Sequence, residues 1–339
     1  MKTLFLLTLL ISLIYGETTL KIATYNVENL FDLQRSGHEY KEYIPYAKSN
    51  WNDTNYRIKL KNIAKVIKDI NPDIIGLQEI ESLQAIKDLR YTLKREGLYF
   101  QYYKIADLKS TTIKVAILSK IPFIYTHEIA VTSSYRYRNI LEAKFKIANE
   151  DLYILINHWK SKAGPESMRI VSAKKLRKRV QELGKNKNII ALGDFNSDYE
   201  EYEVFKRKRK HNDTDGITGI NHILGTIKYQ APAQNVQVEP YDFYNLWYDT
   251  EAEKRYSYIY KGKKEAMDSI LVTATLLDKK GIDYKPHSIT AFEKPYLFKG
   301  KKIYRWQTTR SRLRRHRGKG YSDHLPVTAE FVLHQDTNQ

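Results

Sequence analysis

The sequence feature that most limits the fold is a unit that occurs twice: an amphipathic helix followed directly by a short apolar strand. The first helix, over residues 55–70, repeats isoleucine and valine at the spacing that gives one apolar face, and Asn71-Pro72 ends it before the strand 73–77. The second helix, over 167–183, is basic and precedes the strand 188–192. A chain that alternates strands with helices in this way predicts a layered α/β protein.

Other strand-like segments outnumber the helices. Besides those two, the strand candidates are residues 20–27, 114–118, 141–147, 152–157, 256–260, 269–273 and 327–333. Nine or ten strands with few helices predict two packed sheets covered by helices. No linker rich in proline, glycine or serine divides the chain, so we expect one domain from residue 17 to 335.

The first sixteen residues have the pattern of a secretory signal. Lys2 supplies a positive start, and the apolar run 4–14 is too short to cross a bilayer as a helix. Gly16 is small enough to precede a cleavage site, although Ile14 is bulkier than usual there. We therefore expect a signal peptide over residues 1–16 and a secreted or periplasmic protein. The alternative is a buried N-terminal helix or strand.

Composition excludes several classes of protein. The chain of 339 residues has no cysteine, which excludes a disulfide-stapled mini-protein, a thiolate zinc site and a cysteine nucleophile. Its 57 lysines and arginines exceed its 39 aspartates and glutamates, which gives a formal charge of +18. A surplus of this size favours an anionic partner such as nucleic acid or an anionic lipid surface.

Polar side chains collect where the predicted strands end. They are Asn26 and Glu28, Glu79, His158, Asp194 and Asn196, Asp268, and Asp323 with His324. Loops at strand ends are where rigid sheets place catalytic side chains. Carboxylates, amides and two histidines, with no thiol or serine elbow, are the groups needed for hydrolysis assisted by a hard divalent cation.

Six segments, in this order, resemble the motifs of the endonuclease/exonuclease/phosphatase superfamily, which includes deoxyribonuclease I. They are TYNVENLFD (24–32), IIGLQEIE (74–81), LINHWKSK (155–162), ALGDFNSD (191–198), AMDSILVT (266–273) and YSDHLPVTAEF (321–331). NVENLFD and NHWKSK look most like the bacterial exported nucleases of that group. The resemblance implies an α/β (α+β) fold, a four-layer α/β sandwich in which two packed, mostly antiparallel sheets are flanked by helices.

A metal site is expected from both the chemistry and the resemblance. In-line attack of water on a phosphodiester needs a metal, an oriented water and a proton donor for the leaving oxygen. Glu79 is the best candidate ligand, because Mg²⁺ prefers oxygen donors and needs only one or two carboxylates. The resemblance adds Asn26, Glu28 and Asp323, and alternation along a strand lets residues 26 and 28 share a face. We expect Mg²⁺, with Mn²⁺ or Ca²⁺ as alternatives; turn-forming or solvated surface residues are the alternative interpretation.

The resemblance also implies catalytic roles. Asp194 would orient the attacking water, and Asn196 would hydrogen-bond the phosphate. An Asx turn is the alternative interpretation of these two residues. His324 would be the catalytic histidine, and Asp268 would fix its orientation.

A second histidine is expected to face the phosphate. His158 would stabilise or protonate the phosphate oxygens, and Lys160 would add a phosphate contact. One position departs from the relatives, because Lys114 stands where they often carry an acidic residue. The group that orients His158 is therefore missing or comes from elsewhere.

Two basic runs bear on the substrate. Residues 206–210 (KRKRK) and 305–319 (RWQTTRSRLRRHRGK) are rich in lysine and arginine, and the second run closely precedes the motif that contains Asp323. Guanidinium groups beside aromatic rings suit phosphate contacts and base stacking. We expect substrate phosphates to meet Arg310, Arg312, Arg314 and Arg315. The alternatives are that the runs only raise solubility or that they face anionic lipids.

These features favour an exported, Mg²⁺-dependent endonuclease that hydrolyses DNA, with RNA as a second substrate, at low sequence specificity. We expect a monomer with nucleic acid as its partner and no transmembrane segment after signal removal. The alternative is a phospholipid-directed esterase, sphingomyelinase-like or phosphoinositide phosphatase-like, which needs an exposed apolar hairpin to enter the lipid interface. Residues 288–298 are the only candidate for that hairpin. A catalytically silent phosphate binder is disfavoured because the full set of reactive residues is present.

Overall fold

The computed structural model describes residues 18–147, 149–205 and 211–334. The expected signal peptide 1–16, the basic run 206–210 and both ends of the expected domain, at 17 and 335, lie outside the described residues. Within the described part of the chain, no helix is long and apolar enough to cross a membrane.

Within those ranges the chain forms four α-helices and seventeen strands, joined by turns, short 3₁₀ segments and one π-helical segment, Gly219–Ile223. The helices are α1 (Asp53–Ile70), α2 (Leu83–Arg95), α3 (Glu166–Leu183) and α4 (Glu201–Val204). The strands are β1 (Thr19–Leu30), β2 (Ile74–Ile80), β3 (Tyr102–Ile105), β4 (Lys114–Ser119), β5 (Tyr125–Ile129), β6 (Ile140–Ile147), β7 (Glu150–His158), β8 (Asn188–Asp194), β9 (Tyr244–Asn245), β10 (Tyr258–Tyr260), β11 (Lys263–Glu265), β12 (Asp268–Val272), β13 (Ile282–Tyr284), β14 (Thr290–Ala291), β15 (Phe298–Lys299), β16 (Lys302–Ile303) and β17 (Val327–Leu333).

Local sequence explains where α1 begins and ends. The Asn52 side chain accepts a hydrogen bond from the backbone N–H of Asn55, which satisfies one of the free donors at the start of the helix. Asn71 closes the helix in the left-handed conformation, with a φ of 50°, and Pro72 cannot continue it. The helix predicted over 55–70 is therefore confirmed, with two more residues at its start.

The first sheet has seven strands in the order β13-β17-β1-β2-β4-β3, and β14 also pairs with β17. All neighbours are antiparallel except β1 and β2. Because parallel neighbours need a crossover connection, the chain passes through α1 between them. The first helix–strand unit of the sequence is thus the second half of a βαβ unit.

The second sheet has six strands in the order β5-β6-β7-β8-β12-β9. Here β7 and β8 are the parallel pair, and α3 connects them. The other neighbours are antiparallel. The repeated unit in the sequence therefore becomes one βαβ unit in each sheet.

The two sheets pack face to face, and their inner faces form the main apolar core. Helices α1 and α2 cover the outer face of the first sheet. Helix α3 packs through Leu176 on the outer face of the second sheet, against Leu155 of β7 and Ala191 of β8. The predicted four-layer sandwich of two mostly antiparallel sheets flanked by helices is confirmed.

The sheets touch at Gly76, in the middle of β2. A Cβ atom at this position would lie 2.4 Å from Leu192 Cδ1 and 3.1 Å from Ile156 Cγ1, both on strands of the other sheet. Atoms in close-packed interiors do not approach to 2.4 Å, so glycine is what lets β2 lie directly against β7 and β8. This contact brings the ends of the two parallel strand pairs to one place.

Candidate active site

The carboxyl ends of the two parallel strand pairs meet at the interface between the sheets. The Asn26 side-chain N–H donates to Glu79 Oε1 (3.2 Å) and to Asp194 Oδ2 (3.0 Å), which links the first sheet to the second. His158 Nε2 lies 3.5 Å from Asp194 Oδ2 and 3.9 Å from Glu79 Oε1. The structure therefore brings together four of the residues that the sequence predicts for the site.

Both strands of the first pair are irregular at the site. The pairing of β2 with β4 slips at Glu79, and the pairing of β1 with β2 slips after Asn26. Glu79 has a φ of 66° and Glu28 has a φ of 51°, a left-handed conformation that L-residues rarely adopt. Bulges of this kind re-aim side chains beside active sites. At Glu79 the irregularity directs the carboxylate toward Asn26.

Asp194 is a buried carboxylate held from both sides. Oδ1 accepts the backbone N–H of Asn196 (2.8 Å), and Oδ2 accepts the Asn26 amide. Asn196 has a φ of 48°, and its side-chain N–H donates to the Trp159 carbonyl (3.2 Å). The Asx turn is thus present, and it holds both side chains in the site. Burial raises the pKa of Asp194 to about 7, against the opposing charge of His324.

His324 is oriented by a short chain of hydrogen bonds. Its Nδ1 lies 2.6 Å from Asp268 Oδ2, the same oxygen that accepts the Ser257 hydroxyl (2.6 Å). The Tyr258 ring lies against the imidazole, with the ring centroids 4.8 Å apart. Burial alone would lower the pKa of His324, but the charge and hydrogen bond of Asp268, together with the charge of Asp194, hold this pKa well above its ordinary value. The predicted pairing of Asp268 with His324 is present, whereas sequence reasoning missed Ser257.

His158 has the opposite electrostatic setting. Its ring is buried, and Nδ1 has no hydrogen-bond partner among the described residues. Burial, and then the charges of Arg138 and His324, hold the pKa of His158 well below its ordinary value. Lys114 does not replace the missing acidic partner, because its ammonium group donates to the Glu81 carbonyl (2.5 Å). His158 is therefore neutral at physiological pH, and its pKa suits a hydrogen-bond donor better than a proton source.

Arg138 is a residue of the site that the sequence did not point to. One of its N–H groups donates to the Trp159 carbonyl (3.1 Å), and the charges of Glu79 and Asp194 act on it. Lys160 is nearby, since burial and then the charge of Arg138 lower the pKa of this lysine. Arg138 lies outside the basic runs, two residues before β6, so no charge pattern marked it. With Lys160 it gives the His158 side of the site a positive wall.

The predicted metal residues fall into two groups. Glu79 and Asp323 are coupled electrostatically, since burial and then the charge of Asp323 raise the pKa of Glu79. The Glu28 carboxylate instead accepts from Arg305 Nε (2.8 Å) and from the Trp306 backbone N–H (2.9 Å). Strand alternation does not hold from residue 26 to 28, because the left-handed φ of Glu28 turns its side chain away. Metal ligation by Glu28 stays a prediction.

Arg305 joins these two groups. Its guanidinium lies 2.5 Å from Glu28 Oε1 and 3.2 Å from Asp323 Oδ2. Of the arginines expected at the substrate, Arg310 and Arg314 line a cavity that also contains Arg305 and Glu28. Arg312 and Arg315 are exposed and do not line it. The arginine-rich segment therefore begins beside the site, at Arg305, which the sequence analysis did not single out. Substrate contact by the four predicted arginines stays a prediction.

A model of the endonuclease/exonuclease/phosphatase family matches residues 21–332, nearly the whole described chain. The chain belongs to this family. Its members are hydrolases that act on phosphate esters and depend on a divalent metal. No curated protein matches the sequence significantly.

Solved structures agree on the fold. Zebrafish (D. rerio) TDP2 in complex with a single-strand DNA product is 13% identical, with a TM-score of 0.57 over 93% of this chain and 99% of that one. A Bacteroides thetaiotaomicron member of the family is 15% identical, with a TM-score of 0.55 over 94% and 100% of the two chains. The mannosyl-6-phosphatase Bt3783 of the same organism is 16% identical, with a TM-score of 0.54 over 93% and 100%. At these identities the likeness concerns the fold alone.

The residues of this family member fit a divalent cation. Asp194, Asp268 and His324 offer ligand atoms within 4.8 Å of one another. However, Asp268 and His324 already form a hydrogen bond with each other. Glu79 and Asp323 fit better: burial and then the charge of Asp323 raise the pKa of Glu79, and a cation held by these two carboxylates would offset both effects. We assign these two residues as the ones that would hold the metal.

Removing the central groups should abolish most activity without unfolding the protein. We expect Asp194→Ala and His324→Ala each to lower kcat on a simple phosphodiester by about 10²-fold or more, the scale for loss of an acid or base group. The measurement is a steady-state assay with bis(p-nitrophenyl) phosphate, with circular dichroism as the check on folding. His287→Ala is the matched control, because this ring is largely exposed and pairs with Asp249, which is not one of the candidate site residues. Losses of only a few-fold in both variants would contradict the assignment.

The metal assignment gives a separate expectation. Glu79→Gln keeps the size of the side chain but removes the charge that attracts Mg²⁺, so the Mg²⁺ concentration that gives half-maximal activity should rise at least tenfold. Isothermal titration of Mg²⁺ into the variant should show the same loss of affinity. Unchanged metal affinity, or full activity of the natural protein in EDTA, would refute this role for Glu79.

Proposed function

We propose that this phosphate-ester hydrolase is an exported, Mg²⁺-dependent nuclease that cleaves DNA and RNA with low sequence specificity. The observation that carries the proposal is the position of Arg305. It contacts the metal-side carboxylate Asp323 and begins an arginine-rich segment with an exposed guanidinium row. A small phosphate ester would need only the inner site, whereas a polyanionic chain continues onto such a surface.

The chemistry assigned to the inner site follows from its protonation states. Asp194, with a pKa of about 7, accepts a proton from the water that it and Asn196 orient. That water oxygen bonds to phosphorus as the opposite P–O bond breaks, and the His324 imidazolium gives a proton to the leaving oxygen. A divalent cation would neutralise charge on the phosphate. Neutral His158 donates a hydrogen bond to a phosphate oxygen.

Three cationic side chains complete the proposed phosphate site. Arg138 and Lys160 lie on the His158 side, and Arg305 lies on the Asp323 side. Charge that develops on the phosphate oxygens therefore meets fixed cations from two directions. The proposal gives Arg138 a phosphate-binding role that joins the ones predicted for Asn196 and Lys160.

The relatives add context to the substrate proposal. The zebrafish TDP2 structure contains a single-strand DNA product, and a Bacteroides neighbour is a mannosyl-6-phosphatase. The same fold thus occurs with nucleic-acid and sugar-phosphate ligands, so the choice for this chain rests on its own basic surface. We also propose export through residues 1–16, a single domain over 17–335 and action as a monomer, because one chain supplies all the site residues.

The phospholipid alternative has less support. Its apolar hairpin would be residues 288–298, but Ile289 and Leu297 are each only 1% exposed. Phe292 and Phe298 pack against the main core. The apolar side chains that were to enter the lipid interface are therefore packed against the protein itself. A silent phosphate binder is also disfavoured, because Asp194 and His324 have the raised pKa values expected of a proton acceptor and a proton donor.

A substrate panel tests the proposed function. The purified protein is incubated with plasmid DNA, single-stranded DNA, RNA, mannose 6-phosphate and sphingomyelin or phosphoinositide liposomes, each with Mg²⁺ and with EDTA. We expect cleavage of the nucleic acids in Mg²⁺ only, and fragments of many sizes from plasmid. Hydrolysis of a lipid or sugar phosphate with intact nucleic acid would overturn the proposal, while Asp194→Ala excludes a contaminating enzyme.

A further inference from the structure

Residues 298–319 form a basic double hairpin beside the active site. The first hairpin pairs β15 with β16 around the turn at Gly300 and Lys301. The second is closed by backbone hydrogen bonds from Gln307 to Lys319 and from Thr309 to Arg315. The segment contains ten lysines and arginines and no acidic residue, a composition that favours an anionic ligand.

The second hairpin is anchored to the protein interior. His316 Nδ1 accepts the Trp306 indole N–H (2.8 Å), and its Nε2 lies 2.8 Å from the Glu42 carbonyl. The backbone N–H of His316 donates to Ser49, and the ring packs 4.7 Å from the Trp51 ring. Trp306 and His316 are each 3% exposed. The arginines of the second hairpin are therefore attached to a segment whose base is buried and hydrogen-bonded to the rest of the protein.

A cavity of about 910 Å³, here called the hairpin cleft, lies between the two hairpins. Its cationic side chains are Lys299, Lys301, Lys302, Arg305, Arg310 and Arg314. The acids in its lining are Glu28 and Glu42, and Arg305 and Arg314 already face these. Among the described residues, Lys301, Lys302 and Arg310 have no acidic partner. The cleft thus has cationic side chains without an acidic partner on both hairpins.

The cleft adjoins the active site at one residue. Arg305 lines the cleft and contacts Asp323, one of the two carboxylates assigned to the metal. Tyr304 lines it as well, and offers a ring on which a base can stack. A cavity of this volume is in the range of about 300–1,000 Å³ that holds drug-sized ligands, so it exceeds the needs of one phosphate. A chain of linked phosphates that passes through the active site would continue into it.

We propose that the hairpin cleft binds the nucleic-acid strand on one side of the scissile phosphodiester, so that cleavage depends on charged phosphates on that side only. This inference rests on the proposed nuclease function and adds to it a polarity along the strand. It also explains why the cations form two facing walls, because a single strand can lie between them while its phosphates contact lysine and arginine.

The test uses oligonucleotides with one cleavable phosphodiester. Neutral methylphosphonate linkages replace the phosphates on its 5′ side, on its 3′ side, or on neither side. We expect the natural protein to lose about tenfold or more in kcat/KM when one side is neutral, and little when the other is neutral. In Lys301→Gln/Lys302→Gln, the fully charged substrate should be cut more slowly and the difference between the two sides should shrink.

Binding without cleavage gives a second readout. In EDTA, fluorescence anisotropy with a labelled single-stranded oligonucleotide should show weaker binding by Lys301→Gln/Lys302→Gln. The slope of log affinity against log salt should fall by about 1.4, since each lost contact to a single strand contributes about 0.7. Lys178→Gln/Lys185→Gln is the matched control, because these lysines are exposed near the end of α3 that precedes β8, at the far end of that strand from Asp194. It removes the same charge and should leave the slope unchanged.

The possible results separate this inference from the proposed function. If the oligonucleotides are cut, but the two sides count equally and the lysine variant matches its control, the cleft proposal is overturned and the nuclease stands. If bis(p-nitrophenyl) phosphate is cut and no oligonucleotide is, the nuclease proposal fails, and the anisotropy measurement decides whether the cleft binds a strand. If the variant loses binding to phosphatidylserine vesicles but not to the oligonucleotide, the cleft is a membrane contact and the inference is overturned.

Discussion

The contact between the two sheets at Gly76 is the constraint on which the rest of the structure depends. Without a side chain there, β2 lies against Leu192 and Ile156 of the opposite sheet. The ends of the two parallel strand pairs then come within hydrogen-bond distance, and Asn26 of the first sheet reaches Asp194 of the second. Each βαβ unit alone would place only half of the polar groups, so the site exists because the sheets are close.

That closeness also sets the electrostatics. Burial raises the pKa values of Glu79 and Asp194 and lowers that of His158, so the inner site would resist holding several charges by itself. Cationic side chains offset the negative charge of the buried carboxylates. His324 lies beside Asp268, and Arg305 lies beside Glu28 and Asp323. A divalent cation held by Glu79 and Asp323 would complete the same pattern. The site is thus prepared for an anion whose own charge is concentrated on phosphate oxygens.

Much of the fold and of the candidate site could be predicted from the sequence, and there are physical reasons why the other parts could not. The long helices and central strands show clear periodicity, and the polar strand ends identify Glu79, His158, Asp194 and His324. Short strands such as β15 have too few residues to show a period. The contact of Glu28 with Arg305 was not predicted, because the left-handed backbone at Glu28 breaks strand alternation. Arg138 and Ser257 act through tertiary contacts with residues far along the chain, which no local pattern encodes.

The most direct test of the account is a double-mutant cycle between residues of opposite sheets. Glu79→Gln, His158→Ala and the double variant are compared in kcat/KM on bis(p-nitrophenyl) phosphate at saturating Mg²⁺. If both side chains act on one phosphate in one site, the double variant should lose little more than the worse single variant, since groups that act as a unit are strongly non-additive. If the two losses multiply, with a coupling below about 0.5 kcal/mol, the two sheets do not build a single active site.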